Sequence, residues 1–401
     1  MTPEAFAKSV LLDNRITVCV GCGGVGKTTV AAALALEAAR RGRRTLVLTI
    51  DPARRLADSL GVETLGNQPQ PLSRTTLEAL GVPAEGELSA LMLDMKRTFD
   101  DLVARFAESE ESRRRILENP IYQHASEALA GSVEYSAMEK VYEMWESGDY
   151  DLIVVDTPPA QHALDFLDAP QRLIEFLESR IVQILIHPAM AAGRFGFRIF
   201  QQGTRRVLGL IERVSGISFL EDISEFLLAF EGMSAGFRQR ALRVRSLLTG
   251  PQSRFVLVTG PSDESVLQAN QFRRRLEDQG IELTGVLANR VCLWPDGPVP
   301  DEIEASTEDI QTLARALAAA SGSDLPSEDA ARAAVDAARG YAARVRRDAQ
   351  ATRELREMML TQGSFWGEIP EQSLDVHDLN GLVRIARAIF AEEEFQRGDG
   401  D

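Results

Sequence analysis

Cysteine is nearly absent, with three residues in a chain of 401. That excludes a disulfide-stapled scaffold. Cys19, Cys22 and Cys292 include no facing CxxC pairs, so spacing offers no zinc site either. Long apolar runs are missing too: none approaches the ~18 residues of a spanning helix. The N-terminal stretch MTPEAFAKSVLLDNR lacks a signal-peptide core and cleavage site. The expectation is a cytoplasmic protein with no integral membrane segment. Basic charge is in deficit, 44 Lys and Arg against 60 Asp and Glu, a net charge of −16. A field of that sign repels phosphate backbones at long range, so no nucleic-acid partner is expected. Lysine is the scarcest charged type, represented only by Lys8, Lys27, Lys96 and Lys140, which makes each one worth inspecting.

What is present is ordinary globular material, 44% hydrophobic and 26% charged. The length allows two or three domains, or one large α/β domain with an insertion. Short apolar runs at 15–21, 44–50, 151–155, 254–259, 281–288 and 364–369 read as strands. Most are continuous rather than alternating, the pattern of strands covered on both faces. Helical stretches between them predict a doubly wound, mostly parallel α/β sheet. The core is assigned to 1–170 and 251–401, with helical excursions at 88–148 and 301–362. Residues 171–250 read as a helical subdomain inserted between the third and fourth runs.

The first run leads into Gly21-Cys22-Gly23-Gly24-Val25-Gly26-Lys27-Thr28-Thr29, which matches the Walker A pattern, and then into an alanine-rich helix stopped by Gly42. Glycines let successive N–H groups point into one concavity, and the helix N-terminus adds its positive dipole end. Lys27 then reaches β- and γ-phosphates, the Thr28 hydroxyl binds Mg²⁺, and Thr29 lies near the α-phosphate. Asp51 ends the second run in DPARR and Asp156 ends the third in DTPPA. Carboxylates at the C-terminal ends of strands, where ligands of open α/β sheets bind, suit a metal beside phosphate. A lone aspartate there more often caps a turn; three such loops in series behind consecutive strands favour the site.

Together GCGGVGKTT, DPARRLADSLG and DTPPAQHALDFLDAP resemble the ArsA-type ATPases. That group includes arsenite-pump subunits and Get-type targeting factors for tail-anchored membrane proteins, within the deviant-Walker A nucleotide hydrolases. The resemblance implies a P-loop core, ATP and Mg²⁺, and a nucleotide-dependent homodimer. It makes Asp51 the switch I residue that orients the attacking water, and Asp156 the switch II residue near the metal. It makes His162 a conformational relay. Asn289 becomes the reader of adenine, and Pro370 part of the loop beside the base. A strand-end asparagine equally well caps a turn. The family's signature lysine is replaced here by Cys22. Arg54 or Arg55 is a candidate for the missing charge; the alternative is two solvated arginines at a helix start. The cysteine cluster of the arsenite pump has no counterpart in the sequence, and the one CxxC spacing, Cys19 to Cys22, falls in the first strand and the phosphate loop rather than in a separate zinc-binding pair like that of the targeting factors.

Phe176, Phe195, Phe197, Phe200, Phe226 and Phe230 make 171–250 the most aromatic part of the chain. In the resembling targeting factors this region receives a hydrophobic client. The segment has only Met190 and Met233 as adaptable methionines, which favours an ordinary core over a client groove. Two other functions compete with the ATPase switch: a MinD-like positioning ATPase, and a metabolic P-loop synthetase or kinase.

Overall fold

The computed structural model of the chain describes residues 1–51, 53–107, 109–119, 122–123, 132–158, 175, 236, 239–295, 297–321, 327–372, 376 and 378–390. All six apolar runs form strands: β1 (Ile16–Gly21), β2 (Arg44–Thr49), β5 (Leu152–Asp156), β6 (Ser253–Thr259), β7 (Leu283–Val291) and β8 (Phe365–Pro370). With β3 (Gln70–Pro71) and β4 (Glu87–Met92) they make one eight-stranded sheet, ordered β3-β4-β2-β5-β1-β6-β7-β8. Every pair is parallel except β3 with β4.

The helices are α1 (Pro3–Ala7), which runs into a π-helical turn at Lys8–Leu12, α2 (Lys27–Arg40), α3 (Arg55–Leu60), α4 (Arg74–Ala79), α5 (Met95–Phe106), α6 (Glu110–Glu118), α7 (Ser132–Ser147), α8 (Asp263–Asp278), α9 (Thr307–Ser321), α10 (Glu328–Thr361) and α11 (Leu379–Phe390). Gly42, just past α2, takes φ 85°, the left-handed conformation expected of a helix stop. Most of 171–250 lies outside the described residues. Helical residues 239–248 close that stretch and bury Val244 and Leu248 against the sheet.

The continuous apolar strands are explained by two cores, one on each face. On β1, Ile16, Val18 and Val20 join the core built with α7, α8 and α10, while Cys19 joins the core built with α2 and α11. Every residue of β1 is buried. Phe6 of α1 stacks on Phe365 at a centroid distance of 4.2 Å, which fastens the N-terminus to β8.

The helical excursion expected at 88–148 needs correction, because it opens with β4. Glu-Leu-Ser-Ala-Leu-Met has no β-branched residue and carries the local preference of a helix. Burial of Leu88–Leu91 beside β2 overrides that preference. Past β4 the stretch is helical in α5, α6 and α7, and the 301–362 stretch forms α9 and α10.

Candidate nucleotide site

β1 ends in Gly21 at the middle of the sheet, so the loop that follows leaves from the strands' carboxyl edge between β5 and β6. The glycines answer specific demands. A Cβ on Gly21 would lie 2.1 Å from the Val258 carbonyl oxygen, and one on Gly26 would lie 2.3 Å from Asn289 Nδ2. Gly24 and Gly26 take φ 78° and 90°, which other residues rarely adopt. Gly26 is also the N-cap of α2 and offers no side chain to cap it. The first helical bond runs from Val30 N to Gly26 O, so the N–H groups of Lys27, Thr28 and Thr29 have no intrahelical acceptor. Uncapped donors on a buried helix form an anion site.

Lys27 is buried, and its Nζ donates to Cys22 O at 2.9 Å. Burial holds its pKa below the usual lysine value, against the opposing pull of Asp156, Cys22 and Asp51. Asp156, at the end of β5, is 1% exposed. Its Oδ2 accepts the Thr28 hydroxyl at 2.7 Å and the Thr49 hydroxyl at 2.8 Å. Its Oδ1 has no hydrogen-bond partner among the described residues. Burial raises the Asp156 pKa to about 6, even though both threonines and Lys27 pull it down. An orphaned carboxylate oxygen beside a threonine hydroxyl is the donor set a hard divalent cation takes, and Mg²⁺ fits it.

Asp51 is held by its own loop. Its amide donates to Thr49 Oγ1 at 3.2 Å, its Oδ1 accepts from Ala53 N at 2.9 Å, and Arg55 Nη1 stands 3.6 Å from its Oδ2. Hydrogen bonds thus run from Thr28 to Asp156, Thr49 and Asp51. Thr49 was not singled out from the sequence. Its only signal there is a hydroxyl residue at the end of the apolar Leu46–Leu48 run, two positions before Asp51.

The remaining expected positions separate. Asn289 is buried at the end of β7, where its Nδ2 donates to Val25 O at 2.8 Å and its Oδ1 accepts from Arg290 N at 3.0 Å. It therefore braces the loop directly. Arg290 next to it has φ 61° at a register shift between β7 and β8. Pro370 ends β8 opposite Val291. Cys22 is 4% exposed within the apolar core, its Sγ 3.9 Å from Ser265 O, and burial raises its pKa. A thiol so placed brings no cation to the loop. Arg54 donates to Glu63 O, whereas Arg55 pairs with Asp51. His162 lies outside the described residues.

A parallel sheet whose central strand opens into a phosphate loop, with a metal-competent carboxylate on the neighbouring strand, defines the P-loop nucleotide hydrolases. The model of the ArsA family, described as anion-transporting ATPase, matches residues 14–305. The chain belongs to that family and is an ATPase. It is 27% identical over 280 residues to the ATPase GET3 of Malassezia globosa, covering 70% of this chain and 73% of that one. It is 24% identical over 291 residues to a putative arsenical pump-driving ATPase 2 of Aquifex aeolicus, covering 72% and 83%. A putative arsenical pump-driving ATPase of Halobacterium salinarum is 31% identical over 177 residues, 41% of this chain and only a quarter (25%) of that protein. Among the described residues no helix is long and apolar enough to cross a membrane.

Proposed function

We propose that the chain binds Mg-ATP at 21–29 and couples its hydrolysis to the opening and closing of a homodimer that acts on a hydrophobic protein client. The observation that carries the nucleotide reading is Asp156, with one oxygen held by Thr28 and Thr49 and the other, buried, without a partner among the described residues. In this reading Thr28 and Asp156 hold Mg²⁺, with Asp51 nearby, and the metal neutralises phosphate charge. Gly21, Cys22, Gly23, Gly24, Val25 and Gly26 wrap the β-phosphate with backbone N–H groups, and Thr29 donates to the α-phosphate. Lys27 exchanges the Cys22 carbonyl for phosphate oxygens. Asp51 orients the attacking water. The free amide hydrogen of Asn289 faces adenine, with Pro370 beside the base. The client region is 171–250, on the strength of its aromatic content.

The test is hydrolysis against protein concentration, with and without an apolar helical peptide, for the parent and Lys27→Ala. Lys27→Ala should lower turnover by at least about a hundredfold, since a cation on the transferring phosphoryl supplies several kcal/mol. Turnover equal to the parent's would sink the assignment of the loop. Turnover per chain that ignores both concentration and peptide would remove the dimer and the client.

A further inference from the structure

The phosphate loop has little positive charge for the load it must carry. Lys27 already lies in the field of two carboxylates, Asp156 and Asp51. The triphosphate tail of ATP would add more negative charge than one buried ammonium balances. Neighbouring arginines of the loop after β2 differ sharply. The Arg54 guanidinium is engaged by the Glu63 carbonyl, past the end of α3. Arg55 stands in the first turn of α3 with its side chain 67% exposed, anchored by an ion pair to Asp51 Oδ2 at 3.6 Å. An exposed pair that long is weak and readily exchanged. Arg55 is also close enough to act on Lys27, where it adds to the lowering of that pKa behind burial.

We infer that Arg55 is the second cation of the phosphate site, paired with Asp51 in the chain alone and transferred to the γ-phosphate when ATP binds. The inference rests on the ATPase reading of the loop. The exchange has two effects. The planar guanidinium gives two parallel donors to the γ-phosphoryl oxygens. Asp51, released from its cation, is left with a free carboxylate oxygen to accept a hydrogen bond from water. In the hydrolysis itself water oxygen bonds to Pγ, the bond from Pγ to the bridging oxygen breaks with its electron pair staying on ADP, and both water protons leave with the phosphate as dihydrogen phosphate. Arg55 gains and loses no proton. The ion pair therefore makes Arg55 a sensor of the third phosphate: ADP gives it nothing to move to.

The test compares parent, Arg55→Ala, Arg55→Gln, Arg55→Lys and Arg54→Ala, measuring affinity for a non-hydrolysable ATP analogue, affinity for ADP, and turnover. Arg55→Ala and Arg55→Gln should lower turnover on the order of tenfold or more. They should weaken the analogue by about fivefold or more while ADP affinity stays within about twofold, since only the γ-phosphate contact is lost. Arg55→Lys should recover part of the analogue's affinity and less of the turnover, because an ammonium lacks the two-pronged geometry. An unchanged ratio of analogue to ADP affinity in both the Ala and Gln variants would overturn the inference. Equal losses in Arg54→Ala and Arg55→Ala would overturn it too, assigning the effect to general basic charge. If the parent neither binds nor hydrolyses ATP, it is the ATPase reading that fails. A parent that turns over, together with Arg55 variants that match it, leaves that reading standing and removes Arg55 alone.

Discussion

Gly26 and Gly24 sit two positions apart in one loop, both with positive φ, yet they face different surroundings. At Gly24 an added Cβ meets nothing within 4 Å; at Gly26 it meets Asn289 Nδ2 at 2.3 Å. Gly24→Ala should therefore cost only the left-handed backbone penalty, about 1–2 kcal/mol. Gly26→Ala must also push aside the side chain that braces Val25 O. It should lose about 1–3 kcal/mol more, and ATP affinity should drop with it, because the loop moves. Urea midpoints and nucleotide titrations of the two variants check this; equal losses would mean that Asn289 yields freely. The Walker A pattern made these glycines legible in the sequence, because the chemistry dictates residue types at fixed spacing. The brace from Asn289 was not legible, since it joins the loop to a strand end far along the chain. Thr28 and Asp156 also meet across the sheet, but each lies in a motif of its own; Thr49 lies in none and went unrecognised, and the contact of Asn289 with Val25 O was not anticipated.

At the scale of elements, one arginine ties the end of the first helical segment to the approaches of two strands. Arg43 Nη1 donates to Leu11 O at 2.6 Å, Leu12 O at 2.8 Å and Asn14 O at 3.0 Å, and its Nη2 donates to Asp151 O. The carbonyls at the end of a π-helical turn have no further turn to accept them. The guanidinium closes that end and fixes the approaches to β1 and β5. Arg43→Ala should destabilise the chain by about 2–4 kcal/mol, from carbonyls left unpaired. Arg43→Lys should recover under half of that, since one ammonium cannot span the four acceptors. Chemical denaturation of both variants tests the pair. Strands β1, β2, β5, β6, β7 and β8 were legible in sequence because burial on both faces selects unbroken apolar runs. β4 was hidden by Leu, Ala and Met, whose local preference is helical. β3 is two exposed residues that exist as a strand only through pairing with β4. The left-handed stop at Gly42 was legible, since φ 85° demands glycine by itself.

For the whole molecule, stability should depend on pH through a buried cluster away from the nucleotide. Glu139 on α7 bonds Arg240 Nε at 2.5 Å, while Arg240 also serves Glu146 at 2.9 Å and lies over the Tyr142 ring. One guanidinium thus serves two carboxylates, and Glu139 Oε2 has no partner among the described residues. Burial outweighs the attraction of Arg240 and Arg105, and the Glu139 pKa rises to about 7. The folded chain then holds this proton more tightly than the unfolded chain does. The stabilisation is complete below the ordinary carboxyl pKa and fades as pH climbs to about 7. Glu139→Gln should flatten the stability curve between these limits by about 2–3 kcal/mol. Urea unfolding at pH 5 and pH 8 measures it; parallel curves for parent and variant would show that Glu139 does not titrate there. Another consequence follows from the place of β1, bonded along its length to β6 on one side and over Ile16–Cys19 to β5 on the other. Its amides exchange with solvent deuterium only when the sheet comes apart, so their labelling rate clocks global unfolding. Asp51, at the head of the loop after β2, is tied to that strand by one hydrogen bond to Thr49, its exposed ion pair with Arg55 lies within the loop, and the loop opens on a shorter clock. Adding an ATP analogue should slow deuterium uptake across residues 51–60 by shutting that loop. It should slow β1 only by the smaller factor that ligand binding confers on the whole fold.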